Sequence, residues 1–371
     1  MTILSDAITE TQEVRFILDA DEEFALFEKA GLSAYRRAVV VADSGIEALF
    51  LERVISRISD QIPIAATRVI LAVEDSKDIS HVVALVQWLT KIKATRADVV
   101  IAVGGGVVLD VVSFVASVFM RGIPLVMIPT TLIGQADAST AGKTCVNVGK
   151  DKNIVGSLYL PKTVYSNVSL LRTTSAHSWR QGFSEIVKYG LLGSARLLDL
   201  VKEYLALPRD PILITLLEET IRVRLSLRKI HPLVSNFGHT FGHAIEKYTC
   251  FEVAHGDAIA VGMVMALEFS AQKGIVAPET KSRLITLLKN YGLNTLVEPG
   301  VSAEKLTEYM LTDKKSSGNR IGLVLIEDIA KPLQLEGFFY EVNPEEMVVF
   351  CEWFLNNPHY TRLGRWKELL A

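Results

Sequence analysis

The sequence predicts an α/β protein with a parallel sheet in its first half and a mostly helical second half. Short β-branched runs alternate with helical patterns along the first part of the chain. Strands that alternate with helices of this length are typical of parallel βαβ units. The strands are apolar almost throughout, which favours a sheet covered on both faces. After about residue 168 the chain shows helical spacing and few strand-like runs.

Each predicted element follows from its local pattern. Apolar, β-branched runs predict strands at 37–45, 67–73, 97–106 and 123–131. The segments 78–94 and 107–120 between them have helical spacing. Four later segments also predict helices, namely LLDLVKEYLAL, PILITLLEETIRVRLSLRK, GDAIAVGMVMALEFSAQKG and KSRLITLLKNYG. We therefore expect two domains, 1–168 and 169–371, because a chain of 371 residues exceeds one ordinary core.

The composition excludes several classes of protein. The chain has 39 basic and 42 acidic residues and no long run of like charge, so neither nucleic acid nor membrane is expected as a partner. Cys145, Cys250 and Cys351 are far apart, and we interpret them as reduced thiols. The N-terminus lacks a signal-peptide pattern, and the apolar stretch 98–120 is interrupted by two aspartates and three glycines. We expect a soluble cytoplasmic protein.

The run NFGHTFGHAIEKYTCFEVAHGD holds three of the seven histidines and is the most informative motif. His239 and His243 are four residues apart, so on a helix their imidazoles share one face. His255 follows just before a Gly-Asp pair, at which we expect a turn. Glu185 in QGFSEIVKYG is the best candidate for an additional carboxylate ligand. Two histidines, one glutamate and an open position are typical of a catalytic zinc site. Chance clustering is the alternative.

A glycine turn at 104–106 follows a predicted strand and begins a predicted helix. Such glycines let backbone N–H groups approach a pyrophosphate, whose charge the helix N-terminus favours. The run is not GxGxxG, so an ordinary tight turn is the alternative. Asp110 is otherwise an unexpected charge in an apolar helix. Asp43 either accepts from ribose hydroxyls or is a turn residue, and Thr130 and Thr131 add hydroxyls at the same sheet edge. These residues predict a dinucleotide site.

A polar segment, DASTAGKTCVNVGKDKNIVGS, combines cations with neutral donors of the type that binds anions. Lys188 lies three residues after Glu185 and hence on the same helix face, although a surface salt bridge is the alternative. Arg121 is a further basic candidate, or else the end of a helix with a snorkelling side chain. The candidates within the segment are Asp137, Lys143, Asn147, Lys150, Lys152 and Asn153.

Taken in order, these segments resemble 3-dehydroquinate synthase and its relatives, the sugar phosphate cyclases. The matching stretches are GGGVVLDVVSFVASVFMRG, IPTTLIGQADASTAGKTCVN, GKDKNIVG, GFSEIVKYG, NFGHTFGHAIE, HGDAIAVGMVMA and, more weakly, DKKSSGNRIGLVLI. They run collinearly over most of 37–330, which makes the resemblance specific. More distant kin are metal-dependent alcohol and polyol dehydrogenases, which share the glycine turn and spaced histidines but lack the lysine set.

The resemblance implies a Rossmann-like N-terminal domain that binds NAD, a helical C-terminal domain for metal and substrate, and a homodimer. It implies that Glu185, His239 and His255 bind one zinc ion, or another divalent ion such as Co²⁺. Its NAD residues would be Asp43, Glu74, Lys77, Gly105, Gly106, Asp110, Thr130 and Thr131. Its substrate residues would be Lys143, Lys152, Asn153, Lys188, Asn236, His243 and one of Lys314 or Lys315. The residue matching Arg121 would reach the phosphate in the neighbouring subunit's site.

The resemblance also implies a lyase reaction without net redox change. A secondary alcohol is oxidised, phosphate is eliminated, the hydride returns, the ring opens, and an aldol step closes a carbocycle. The metal acts as a Lewis acid on two hydroxyl oxygens. His243 and Lys188 are candidates for groups that hold or protonate oxygens.

The chain departs from the family before the Asn-x-Gly-His motif. Relatives carry an acidic stretch and an arginine there, and the arginine and an upstream lysine hold the substrate carboxylate. Here IRVRLSLRKIHPLVSNFGH is several residues shorter, and the arginine position falls on Pro232. Loss of the clamp would favour a ketose phosphate without a carboxylate, such as sedoheptulose 7-phosphate, over 3-deoxy-arabino-heptulosonate 7-phosphate. Against that, Asn236, His243 and the strings VKYG and GHTFGHAIE resemble the dehydroquinate enzymes more, so the leading interpretation is a cyclase most like 3-dehydroquinate synthase. A polyol dehydrogenase and a non-enzymatic NAD-binding protein are further alternatives.

Overall fold

The computed structural model describes residues 2–9, 12–22, 24, 26–46, 50–149, 151–231, 233–335 and 339–363. Side chains are described from Val14 onwards within these ranges, except at positions 151, 152 and 173. The chain forms two compact units. One comprises Met1–Ser178 and Arg209–Glu218, and the other comprises Trp179–Pro208 and Glu219–Ala371. The domain boundary expected after residue 168 stays a prediction.

The first unit is built on a mostly parallel sheet. Its strands are β1 (Thr2–Thr9), β2 (Gln12–Asp19), β3 (Ala38–Asp43), β4 (Ile64–Ile70), β5 (Val99–Gly104), β6 (Leu125–Pro129), β7 (Lys143–Val148), β8 (Asp151–Leu158) and β9 (Thr163–Asn167). Its helices include α1 (Glu52–Ser59), α2 (Ile79–Lys91), α3 (Gly106–Val118) and α4 (Leu132–Ala136). Within the described residues the sheet order is β1-β2-β9-β6-β5-β3-β4, and only β1 runs antiparallel to its neighbour. The expected parallel α/β sheet is confirmed.

The apolar runs of the sequence form the centre of this sheet. Every residue of β5 and β6 is buried, and so is most of α3. Because β3, β5 and β6 are parallel neighbours, their carboxyl ends lie side by side. The residues that end or follow these strands, Asp43, the glycine turn at 104–106 and Thr130, therefore share one edge of the sheet.

Strand β9 and the hairpin of β7 and β8 are among the features of the first unit that were not predicted. Strand β9, TVYSN, is fully buried although it is largely polar. Asn167 at its end is well satisfied, since its side chain accepts from the Ser169 N–H and its carbonyl accepts from Gln135 Nε2. Strands β7 and β8 form an antiparallel hairpin that carries most of the predicted phosphate-binding residues.

The second unit is mostly helical, as expected. Its helices are α5 (Ala176–Gly193), α6 (Ala195–Ala206), α7 (Asp210–Ile230), α8 (His239–Tyr248), α9 (His255–Gln272), α10 (Pro278–Asn290), α11 (Ala303–Leu311) and α12 (Pro344–Leu355), of which α5 and α7 begin in the first unit. Its short strands are β10 (Ile321–Leu323), β11 (Ile326–Asp328), β12 (Lys331–Pro332) and β13 (Tyr340–Val342). Among the described residues, none of the helices combines the length and apolarity needed to cross a bilayer.

The turn expected at the Gly-Asp pair after His255 is wrong, because His255 is the first residue of α9. Gln181 of α5 holds this helix start: its Oε1 accepts from the Gly256 N–H at 2.5 Å, and its Nε2 donates to Asp257 Oδ2 at 2.7 Å. An acidic residue in the first turn also suits the helix dipole. A Cβ atom on Gly256 would lie 2.5 Å from the Gln181 Cα, so glycine permits this approach.

Candidate functional site

Glu185, His239 and His255 converge within the second unit. Their ligand atoms all lie within 4.8 Å of one another. The Nε2 atoms of His239 and His255 lie 3.6 and 3.5 Å from Glu185 Oε1. Metal–ligand distances near 2.0–2.2 Å place neighbouring ligands of a tetrahedral zinc ion about 3.4 Å apart. The three side chains therefore fit one zinc-sized ion. The His255 side chain is 34% exposed, so the cluster is accessible to a small molecule.

The other nitrogen of each imidazole is also engaged. His255 Nδ1 lies 3.2 Å from Glu246 Oε2, and His239 Nδ1 lies 3.1 Å from the Phe237 carbonyl oxygen. With a proton on each Nδ1, both Nε2 lone pairs face Glu185, as is usual around a bound metal. Glu246 was not predicted, although its place seven residues after His239 on α8 puts it on the same helix face.

Lys188 contacts the proposed metal carboxylate directly, because its Nζ donates to Glu185 Oε2. The two side chains are 2% and 0% exposed, so the alternative of a surface salt bridge is wrong. Lys188 Nζ also lies 4.3 Å from the centroid of the Tyr189 ring. A buried ion pair is costly to maintain, which makes its position beside the histidines a sign of function rather than of stability.

His243 lies beside the three proposed ligands, and a carboxylate holds it. Its ring centroid is 5.3 Å from that of His239, and its Nδ1 lies 2.8 Å from Asp313 Oδ2. Lys315 Nζ donates to the other oxygen of Asp313 at 2.5 Å. Burial lowers the pKa of Lys315 to about 8, with Asp313 opposing. Despite its burial, His243 and Lys315 keep the pKa of Asp313 below its ordinary value.

The structure separates the two candidate lysines and locates Asn236. Lys315 is buried within this cluster, whereas Lys314 is exposed. Asn236 is buried; its Nδ2 donates to the Leu233 carbonyl at 2.8 Å, and its carbonyl accepts from the His239 N–H at 3.1 Å. Asn236 thus supports the start of α8. Pro232, where the sequence departs from the family, lies outside the described residues.

The predicted dinucleotide residues at the sheet edge show features that fit a ligand. Thr130 Oγ1 is buried and has no hydrogen-bond partner in the described part of the chain. A Cβ atom on Gly106 would meet nothing within 4 Å, so no protein packing requires glycine there. Asp43 and Thr131 also serve local structure, since they accept from the N–H groups of Gly45 at 2.7 Å and Gly134 at 3.1 Å. The turn alternative for Asp43 is therefore realised.

Asp110, the unexpected charge within α3, forms an ion pair with Lys77. Lys77 Nζ donates to Asp110 Oδ2 at 2.5 Å, and the Cys145 thiol lies 3.5 Å from the same oxygen. Burial raises the pKa of Asp110, with Lys77 opposing, and raises that of Cys145 to about 12. Glu74 Oε1 accepts from Asn147 Nδ2 at 2.9 Å. Glu74, Lys77 and Asp110 thus all contact residues of β7 or one another.

The predicted phosphate-binding residues are less closely joined. Lys143 begins β7, and both it and Asp137 are half-buried. Asn153 is exposed and left-handed, with φ of 55°. The Lys152 side chain and all of Lys150 lie outside the described residues. Arg121 is exposed in a short 3₁₀ turn after α3 and also left-handed, with φ of 63°. The structure brings no contact between Arg121 and the other candidates among the residues it describes.

The mostly parallel sheet of the first unit and the glutamate–histidine cluster of the second define the class of protein. It is an α/β protein whose helical unit is of a metal-binding type. Family models agree with this class: the model of 3-dehydroquinate synthase N-terminal matches residues 67–181, and that of 3-dehydroquinate synthase C-terminal matches residues 182–316. The chain belongs to the 3-dehydroquinate synthase family.

Relatives in this family carry two different names. A 2-epi-valiolone synthase of Actinosynnema mirum is 37% identical over 273 residues, which cover 71% of this chain and 72% of that protein. A 3-dehydroquinate synthase of Leptospira interrogans is 34% identical over 336 residues, covering 87% of this chain and 90% of that protein. The chain is thus similar to relatives that are named for two different products.

Solved structures share the whole fold. A 2-deoxy-scyllo-inosose synthase complexed with carbaglucose-6-phosphate, NAD⁺ and Co²⁺ has a TM-score of 0.82 at 22% identity, covering 95% of this chain and 100% of that one. A 2-epi-5-epi-valiolone synthase from Streptomyces hygroscopicus, with NAD⁺ and Zn²⁺ bound, also has a TM-score of 0.82, at 24% identity and coverage of 94% and 98%. At these identities the likeness establishes the fold alone.

Proposed function

We propose that this protein is a sugar phosphate cyclase that uses NAD and one divalent metal ion, zinc or cobalt. It would release phosphate from a seven-carbon sugar phosphate and close a carbocycle, which makes it a carbon–oxygen lyase. The convergence of Glu185, His239 and His255 is the observation that carries this proposal. Membership of the 3-dehydroquinate synthase family and the NAD⁺ and metal ions in solved relatives support it.

The residues of the second unit suit the metal ion, and those of the first unit suit NAD. Glu185, His239 and His255 would hold the metal ion, and the sheet edge at Asp43, Gly105, Gly106, Thr130 and Thr131, with Glu74, Lys77 and Asp110, would hold the dinucleotide. When bound, NAD takes up and returns a hydride, and the metal ion polarises oxygen atoms as a Lewis acid. The orphan hydroxyl of Thr130 and the open space at Gly106 support the dinucleotide assignment.

Three side chains near the metal ligands, Lys188, His243 and Lys315, would bind substrate oxygens or exchange protons with them. Lys188 is an ammonium donor in a buried position and would hold a substrate oxygen close to Glu185. Asp313 fixes the Nδ1 edge of His243, which leaves Nε2 to exchange a proton with substrate. Lys315, with its pKa near 8, is poised to bind or protonate oxygen at neutral pH. Asn236 would orient both α8 and the substrate.

The phosphate would be bound by the hairpin residues Lys143, Lys152 and Asn153 with Asp137 nearby, and by Arg121 of a second copy. We propose a homodimer for this reason. Exposed apolar side chains lie on the same segments, namely Met120 (49% exposed) beside Arg121, and Ile154 (66%) and Leu158 (74%) on β8. Light scattering on the purified protein should give twice the mass of the chain; a monomer would remove Arg121 from the site.

Three free cysteines support a cytoplasmic location.

A substrate without a carboxylate is the second candidate. Helix α7 continues to Ile230, and only five residues, 231–235, separate it from Asn236, which begins the Asn-x-Gly-His motif. That leaves no room for the acidic stretch of the family, or for the arginine that holds the substrate carboxylate together with an upstream lysine. The named product of the Actinosynnema relative also lacks a carboxylate. Sedoheptulose 7-phosphate is therefore the alternative to 3-deoxy-arabino-heptulosonate 7-phosphate.

One assay tests the function and separates the substrates. Zinc-loaded protein with NAD is given a panel of C6 and C7 sugar phosphates, and inorganic phosphate, NADH and carbocyclic products are followed, the last by NMR. We expect phosphate release and a carbocycle without net NADH. NADH formation from a polyol without phosphate release would instead identify a dehydrogenase.

A further inference from the structure

Asn147 in β7 contacts two groups of residues. In the proposed function, one group binds NAD and the other binds the substrate phosphate. Its backbone N–H donates to the Lys77 carbonyl at 2.6 Å, and its side-chain Nδ2 donates to Glu74 Oε1 at 2.9 Å. On its other side, Oδ1 accepts from the Asn153 N–H at 2.8 Å. Asn147 is 9% exposed, so its own polar atoms are largely shielded from water. Both polar atoms of the side chain are used, each toward a different group.

The first group is the turn that carries Glu74 and Lys77. This turn is a short 3₁₀ segment, closed by the Lys77 N–H bonding to the Glu74 carbonyl at 2.9 Å. Lys77 is anchored on α3 through Asp110. The Glu74 carboxylate receives its direction from Asn147, since a carboxylate accepting from a fixed amide loses rotamer freedom. In the proposed function this turn faces NAD.

The second group is the start of β8. Asn153 has a left-handed backbone, which residues other than glycine seldom adopt, and asparagine tolerates it best. The bond from its N–H to Asn147 Oδ1 holds that conformation. In the proposed function Asn153 binds the substrate phosphate.

We propose that Asn147 is a positioning residue that acts on both groups through separate atoms. It orients the turn that carries Glu74 and Lys77, and it orients Asn153 at the start of β8. Nδ2 serves the NAD end and Oδ1 serves the phosphate end. This inference depends on the proposed function for the identity of the two ligands. Because the two bonds use different atoms, substitutions can remove them separately. The bond from the backbone N–H to Lys77 survives any side-chain change and keeps β7 in place.

Asn147→Asp provides the separating test. An aspartate still accepts from the Asn153 N–H, but it cannot donate to Glu74 and places a second negative charge beside it. We expect the NAD dissociation constant, measured calorimetrically on zinc-loaded protein cleared of NAD, to rise about 10-fold or more. The KM for the sugar phosphate selected by the phosphate-release assay, measured at saturating NAD, should stay within about twofold. Val148→Asp is the matched control, because it adds the same charge on the next, exposed residue.

Asn147→Ala removes both bonds and should weaken both ligands, while Asn153→Gly keeps the left-handed backbone and should raise only the sugar phosphate KM. Equal changes in both constants for Asn147→Asp, or a loss of NAD affinity no greater than in Val148→Asp, would overturn the positioning role. Circular dichroism on each variant excludes unfolding as the cause. A failure of the proposed function looks different, because wild-type protein would then neither bind NAD nor release phosphate.

Discussion

Glu246 Oε2 lies 3.2 Å from Nδ1 of His255, while Nε2 of the same ring lies 3.5 Å from Glu185 Oε1. The imidazole is thus held between two carboxylates, one of which belongs to the proposed metal site. Carboxylates in this outer position fix the ring orientation and increase the basicity of the metal-facing nitrogen. Glu246 therefore joins the site as a residue that acts through His255.

Glu246→Gln tests this role. The amide still reaches Nδ1 but carries no charge, so we expect zinc affinity to fall by about 10- to 100-fold. Competition with a chromophoric chelator measures the affinity. Glu252→Gln is the control, because it makes the same replacement at an exposed glutamate after α8. Unchanged affinity in Glu246→Gln would mean that the carboxylate contributes only to packing.

Lys188→Met tests the buried ion pair. Removing the ammonium takes away the cation that donates to Glu185 Oε2, and breaking a buried ion pair in this way typically costs about 3–5 kcal/mol of folding stability. A bound divalent ion would supply positive charge in its place. We therefore expect a large fall in thermal midpoint for chelator-treated variant and a smaller fall for zinc-loaded variant. Equal destabilisation in both conditions would argue that no metal ion contacts Glu185.

The pH dependence of substrate binding tests Lys315. Burial lowers its pKa to about 8, with Asp313 opposing, so the ammonium form is lost as the pH rises through 8. If that ammonium holds substrate oxygens, KM should rise above pH 8. Asp313→Asn removes the charge that raises the lysine pKa, so the rise should begin at lower pH. Lys315→Arg should abolish it over this range, because arginine stays charged. A pH profile that neither substitution moves would exclude the role.

Gly106→Ala tests the dinucleotide end. A Cβ atom there meets nothing within 4 Å, so the thermal midpoint of NAD-free protein should not fall. A methyl group at the start of α3 would obstruct a pyrophosphate, and we expect NAD affinity to fall about 10-fold or more. Gly104→Ala is the contrast, because its Cβ would lie 2.9 Å from that of Val108 and should destabilise the fold itself. Unaltered NAD binding in Gly106→Ala would remove the pyrophosphate from this turn.

The sequence predicted those parts of the fold and site that depend on local pattern. Asp43, the glycine turn and Thr130 could be grouped in advance, because each follows an apolar strand and parallel strands end at one edge. Likewise, three-residue spacing placed Lys188 beside Glu185. Strand β9 was missed because its polar side chains find partners far away in sequence: Thr163 Oγ1 donates to the Ala30 carbonyl and Asn167 Nδ2 to the Asp21 carbonyl.

Roles that depend on tertiary contacts could not be found this way, even for Asn147, which the sequence had named as a candidate. The helix start at His255 depends on Gln181, which lies 75 positions before the Gly256 N–H that it accepts from. Glu246, Asp313 and Asn147 carry ordinary residue types in ordinary places, and their roles appear only when their partners are near. The choice between Lys314 and Lys315 likewise required knowing which side chain is buried. The sequence does not show this, because the two residues are identical neighbours.

The metal content of the purified protein tests the central claim most directly. Elemental analysis of wild type, Glu185→Gln, His239→Ala and His255→Ala, each dialysed against trace zinc, should give one equivalent of zinc for wild type. Each variant should lose most of it while remaining folded by circular dichroism. Wild type without zinc or cobalt, or variants that retain the full equivalent, would contradict the account.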